Sequence, residues 1–169
     1  EEEKKFVKEM QLLTSKPIIY VCNIKEDSNK SDELEAKNKV ALNAKLELEL
    51  SSLSESERKD YIKELGIKES GLDALIKEAY KILNLITFFT SGEMESRGWT
   101  IKNGAKAPEA AGVIHTDFEK GFIRAEVIGY NDFVACNGEP GAKETGKMRL
   151  EGKEYIVRDG DICHFRFAI

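Results

Sequence analysis

Five consecutive apolar residues, Ile18–Ile19–Tyr20–Val21–Cys22, run straight into Asn23-Ile24-Lys25-Glu26. A strand without polar alternation is covered on both faces, which belongs to a parallel sheet flanked by helices. Pro17 precedes it, at a strand start where a missing N–H costs little. An α/β layer is therefore expected here, with Lys39-Val-Ala-Leu-Asn43 as the next strand. The segment between them is barely long enough for the crossover a parallel pair needs. Asp32–Lys37 is a short helix candidate within it.

Helices are expected on both sides. Residues 2–13 carry Phe6, Met10 and Leu13 at spacings of four and three, a single helix face. Leu46–Leu50 alternates like a strand, but Leu and Glu are better helix formers. Ser54 and Glu57 have the spacing of a capping box, opening a helix to about Leu65 that Gly66 stops. Ser70 caps a longer helix whose apolar face is Leu72, Leu75, Ile76, Ala79, Ile82 and Leu83.

The character changes near Ile86. Of 13 glycines, only Gly66 and Gly71 precede that point. Thr87–Thr90 and Arg97–Ile101 read as strands around a turn at Ser91-Gly92. Asn103-Gly104 is a hairpin or turn signal, and Ala107-Pro108 enters a short helix. Phe122–Ile128 alternates as a half-buried strand. Lys143–Leu150 reads as a helix, and Asp159-Gly160-Asp161 as a tight turn into a last strand, Ile162–Phe167. Strands, one main helix and a final strand suit a small α+β domain. The boundary falls near Leu85, giving domains at 1–85 and 86–169.

Net charge −5 argues against a generally basic surface for nucleic acid, and so against DNA. No apolar run approaches the roughly 20 residues that span a bilayer, so no membrane partner is expected. The N-terminal EEEKKFVKEM is acidic and helical in character, unlike a signal peptide. Cys22, Cys136 and Cys163 fit neither a disulfide framework nor a CxxC metal site, which suits reduced thiols in the cytoplasm.

Two segments carry a family resemblance. RGWTI, APEAAGVIHTDFEKGFIRAEV and EGKEYIVRDGD lie in a stretch from Leu85 to the end that closely resembles the TGS domain of the YchF-type, OBG-like ATPases. LTSKPIIYVCNIKED is similar to the base-recognition strand of the same ATPases. The resemblance implies an α+β chain: the C-terminal part of a P-loop NTPase α/β domain, then a ubiquitin-like β-grasp TGS domain. It implies a ribosome-associated protein that hydrolyses ATP, with GTP as the second candidate, and Mg²⁺ in the intact parent. The TGS domain would serve in ribosome, RNA or protein docking. No GxxxxGK[ST] is present, so this portion is expected to be inactive alone, with no catalytic residue and no bound cofactor. The alternative is a stand-alone TGS-type interaction module without nucleotide chemistry.

The resemblance also assigns sites. In GTPases an N-K-x-D motif ends a strand, and its Asp accepts hydrogen bonds from guanine N1–H and N2–H₂. Here the motif is Asn23-Ile24-Lys25-Glu26. Adenine offers a carboxylate nothing on that edge, so the altered motif goes with adenine preference. Backbone groups near Ile24 would read the base, Asn23 would brace the loop, and Glu26 would not engage guanine. Asn43-Ala44-Lys45 stands where GTPases carry an S-A-K loop, with N–H groups toward the purine edge and the Lys stem on the ring. Asn43 as a helix N-cap is the structural alternative.

Two further groupings need weighing. His115 and Glu119 would share a helix face, but no further ligands cluster near them, so no metal site is expected. Thr116 and Asp117 would cap a helical turn that Gly121 ends. Lys143, Lys147, Arg149 and Lys153 form a modest basic stretch, diluted by Glu144 and Glu151. TGS kinship suggests an RNA or ribosome contact there, and a solvated face is the bland alternative.

Overall fold

The computed structural model describes residues 2–25, 37–92 and 95–168. It divides into two compact units, Glu1–Leu83 and Asn84–Ile169. No described helix is long and apolar enough to cross a membrane.

In the first unit, α1 (Glu2–Glu9) is shorter than the expected 2–13 helix. Gln11 enters the left-handed region (φ 48°), and a 3₁₀ turn follows at Leu13–Ser15. Phe6, Met10 and Leu13 stay exposed, so no burial holds those residues in one longer helix. Strands β1 (Tyr20–Asn23) and β2 (Lys39–Leu42) pair in parallel, as expected, from Tyr20↔Lys39 to Asn23↔Leu42. Their sheet has two strands. The expectation of cover on both faces fails: Ile18, Tyr20 and Val21 are each about half exposed. A two-stranded sheet cannot enclose its own strands. Residues 32–36 of the helix expected at 32–37, and the residue Glu26, lie outside the described residues.

Local signals are realised as expected in the helices that follow. Asn43 caps α2 (Ala44–Ser51) by accepting from the Lys45 and Leu46 amides. Ser54 and Glu57 form the capping box of α3 (Glu55–Glu64), and Gly66 turns beyond its end at φ 67°. Ser70 caps α4 (Gly71–Ile82). Glu47 reaches from α2 to accept the Gly71 N–H at 2.7 Å. A Cβ on Gly71 would stand 2.4 Å from that of Leu42, so only glycine lets α4 start this close to β2.

The second unit is a five-stranded mixed sheet in the order β4 (Ser96–Lys102), β3 (Leu85–Ser91), β7 (Asp161–Phe167), β5 (Phe122–Gly129), β6 (Arg149–Glu151). β3 and β4 form an antiparallel hairpin. The last strand, β7, lies parallel to β3 at Phe89↔Ile162 and antiparallel to β5. Helix α5 (Ala107–Ile114) crosses the sheet. Its Ala107, Ala110 and Ala111 are fully buried, and these small side chains let it lie close against Phe88, Val127 and Phe165. A final strand seated in the middle of the sheet beside the first is the β-grasp arrangement.

Two expectations are corrected here, and one helix is added. Lys143–Leu150 is not a helix: α8 spans Glu139–Glu144, Gly146 turns at φ 70°, and Arg149–Glu151 forms the edge strand β6. Helix α7 (Tyr130–Ala135) had no distinct sequence signal. The cap of α6 (Thr116–Lys120) is neither Thr116 nor Asp117 but His115, whose Nδ1 accepts the Asp117 N–H at 3.2 Å. Gly121 does end that turn, and a Cβ there would lie 1.9 Å from the Ala168 carbonyl oxygen. Asn103-Gly104 makes a turn, with Gly104 at φ 92°.

Candidate functional sites

The ends of the two parallel strands bring the first pair of motifs together. β1 and β2 finish side by side at Asn23↔Leu42, and the Ile24 amide donates to the Leu42 carbonyl at 2.8 Å. The Asn23 Oδ1 then accepts the Ala44 N–H at 3.1 Å, across 21 positions of sequence. One amide side chain thus ties the loop after β1 to the start of α2. The site is at the carboxyl ends of parallel strands, where ligands of open α/β sheets bind.

The donors expected to face a purine are engaged internally. The Ala44 N–H goes to Asn23, and those of Lys45 and Leu46 go to Asn43. The Lys45 side chain is exposed, with its Nζ 3.8 Å from Glu49. Ile24 is half-buried.

The basic stretch does not form one patch. Lys147 is 3.2 Å from Asp132. Arg149 turns inward: its Nη2 donates to the Tyr155 hydroxyl at 3.1 Å and to Asp161 at 3.4 Å, and its guanidinium lies over the Tyr155 ring. The Tyr155 hydroxyl donates to Asp161 at 2.6 Å. Burial, with the Asp161 carboxylate next, pushes the Tyr155 phenol up to about 12, so it stays a donor at neutral pH. Asp161 is 3 % exposed and also accepts the Arg158 N–H at 2.9 Å. A buried carboxylate needs such partners. Arg149 is therefore a clamp on the start of β7. Lys143, in the last turn of α8, and Lys153, on a turn after β6, stay exposed.

Sequence reasoning missed a second cluster, which only cross-strand register reveals. Glu126 of β5 pairs with His164 of β7, and Glu139 approaches both, so that one ligand atom from each lies within 4.8 Å of the others. Arg166 occupies it, donating to both Glu126 oxygens at 3.2 and 2.9 Å and holding that carboxyl below its usual range. His115 and Glu119 serve packing instead, with His115 capping α6 and Glu119 lying over Gly112.

Comparison with known proteins gives consistent matches. Residues 85–168 match the YchF-GTPase_C family model, described as a protein of unknown function (DUF933). The whole chain aligns with the Bacillus subtilis "Ribosome-binding ATPase YchF" at 52 % identity, covering 50 % of that protein. Its Haemophilus influenzae counterpart is 49 % identical over 99 % of the chain and 49 % of its own length. The solved structure of the Schizosaccharomyces pombe YchF GTPase superposes on 98 % of the chain and 47 % of its own, with a TM-score of 0.83 at 37 % identity. The chain spans about half the length of these relatives, and it belongs to the YchF family.

Proposed function

We propose that this chain is the base-reading and docking portion of a ribosome-associated ATPase. On this reading residues 1–85 complete a P-loop nucleotide domain. Asn23, Ile24, Glu26, Asn43, Ala44 and Lys45 form the purine end of its site. Residues 86–169 form a TGS domain that docks on the ribosome, with Lys143, Lys147 and Lys153 as separate surface cations and Arg149 bracing the fold beneath them. The relatives are named ribosome-binding ATPases or a GTPase. Mg²⁺, the phosphate cradle and hydrolysis would lie in the part of those relatives that this chain does not span. The intact protein would work in the cytoplasm.

The observation that carries the reading is the bond from the Ala44 amide to the Asn23 side chain. It supports the role of Asn23 as a brace that joins the two loops expected to flank a base. Because the 44–46 amides and the Ile24 N–H are all engaged internally, adenine would be read through the Ile24 carbonyl, which can accept from its 6-amino group, with the Lys45 stem against the ring.

The test is an ATP/GTP affinity ratio for the full-length protein. Asn23→Ala should weaken both nucleotides by freeing the brace. Glu26→Asp, alone or with Ile24→Lys, should move preference toward GTP by about tenfold, the worth of a charge-assisted hydrogen bond. An unchanged ratio in both variants would place selectivity in the backbone around Ile24 and remove Glu26 from the site. The 169-residue chain alone should neither hydrolyse ATP nor bind it below micromolar Kd. Tight binding there would contradict the division of labour.

A further inference from the structure

The second unit contains a cleft of about 540 Å³ that the basic-stretch reading did not anticipate. Its walls are the β5–α7 corner at Tyr130, the 146–149 segment, and the 158–161 turn. The volume falls in the range of small-ligand pockets. Its charges are unevenly committed. The Asp159 carboxylate accepts the Thr87 N–H at 2.8 Å, Asp161 is held by Tyr155 and Arg149, and Asp132 shares Lys147. Among the described residues, the Arg158 side chain has no ion pair or hydrogen bond of its own, while its backbone amide is anchored to Asp161.

Tyr130 completes the geometry. It is 55 % exposed, although its inner side meets the Phe89 ring at 6.2 Å. An aromatic ring supported from behind and open in front is a stacking platform. Gly146 and Gly160 both have positive φ, and open space surrounds the Cβ position of Gly146, leaving its backbone bare to a ligand.

We infer that this cleft takes one unpaired nucleotide of an RNA strand, its base on Tyr130 and its phosphate on Arg158 with Lys147. The inference rests on the docking reading above and gives it a partner class and an address. A net-acidic chain binds RNA poorly through bulk charge, so a single aromatic-plus-arginine contact at a loop or bulge is the mode its chemistry allows. The same chemistry would also accept a free nucleoside monophosphate, which the experiment separates.

Binding of a fluorescent, unstructured eight-nucleotide RNA to the 169-residue chain is measured by anisotropy across a salt series. AMP is measured in parallel by calorimetry. Arg158→Glu should weaken RNA binding about tenfold and lower the salt slope by about one. Tyr130→Ala should cost about fivefold or more with the slope unchanged. Thermal melts confirm that both surface variants remain folded. Less than twofold change in both variants, or no RNA binding by the wild-type chain, overturns the assignment. AMP binding as tight as RNA binding reassigns the cleft to free nucleotide and overturns it too. Ribosome co-sedimentation of the full-length protein is the separate control. Co-sedimentation unaffected by both substitutions rejects the cleft but keeps the docking reading, whereas its absence in the wild type rejects the docking reading itself.

Discussion

The two units treat similar apolar sequences in opposite ways. Among the described residues, Val40 and Leu50 are the buried apolar residues of the first unit, while the second closes a core from Ile86 to Phe165. Ile18, Tyr20 and Val21 are as apolar as the residues of β5, yet they stay half exposed beside one partner strand. β5 has β7 on one side and β6 on the other, with α5 over it. Burial is thus set by what flanks a strand, and the apolar run alone only states what the strand needs.

The sharpest way to break this contrast is to empty the better core. Phe88 is fully buried, with its ring edge-on to Phe165 at 5.8 Å. Phe88→Ala should destabilise the second unit by about 3–5 kcal/mol, through lost transfer energy and the cavity left behind. Site-resolved hydrogen exchange should show the loss in β5 and β7, with β1 and β2 little changed. An equal loss in both units would mean that they fold as one cooperative body.

Next in size is the contrast in the unmodified chain. Amides of β1 and β2 should exchange far faster than those of β5 and β7, by about 2–3 kcal/mol of opening free energy, since few buried contacts hold the two-stranded sheet. Equal protection would show that the first unit owns a core its exposed strand does not reveal.

Polar chemistry makes a smaller difference. Tyr155→Phe removes the donor to Asp161 and leaves a buried carboxylate short of a partner. A loss of about 1–3 kcal/mol is expected in the second unit. Asn43→Ala removes both the α2 cap and its hold on two amides, at about 1 kcal/mol in the first unit. Urea melts of each variant rank the two losses.

The smallest effect is in pH. Arg166 depresses the Glu126 carboxyl in the folded state. That pair contributes stability above the ordinary Glu value of about 4.3, and the contribution is lost as pH falls through the depressed value. Melting temperature between pH 7 and pH 3 should fall slightly less for Arg166→Leu than for wild type, because the variant has no such pair to lose.

Much of the fold was legible because its signals act within four residues. The Ser54–Glu57 capping box, the caps at Asn43 and Ser70, the stop at Gly66 and the turn at Gly160 need only neighbours along the chain. The alternation of Phe122–Ile128 likewise announces a half-buried strand. Lys143–Leu150 was misread for the converse reason. Its helix-favouring residues are overruled by Gly146 at positive φ and by the pairing of Arg149 with Val127, a partner 22 positions away.

By itself, then, the sequence determined where α2, α3 and α4 begin, where α3 stops, the strands at β3, β4, β5 and β7, and the family to which the 85–168 stretch belongs. The tertiary structure alone decided the rest. It placed β7 in the centre of the sheet, joined Asn23 to Ala44, turned Arg149 inward onto Tyr155 and Asp161, and left Arg158 and Tyr130 facing an open cleft. The physical reason is range. Caps and turns are satisfied by hydrogen bonds to atoms a few residues away, whereas a buried carboxylate or a strand edge takes whichever partner the folded chain brings to it, and no local pattern encodes that choice.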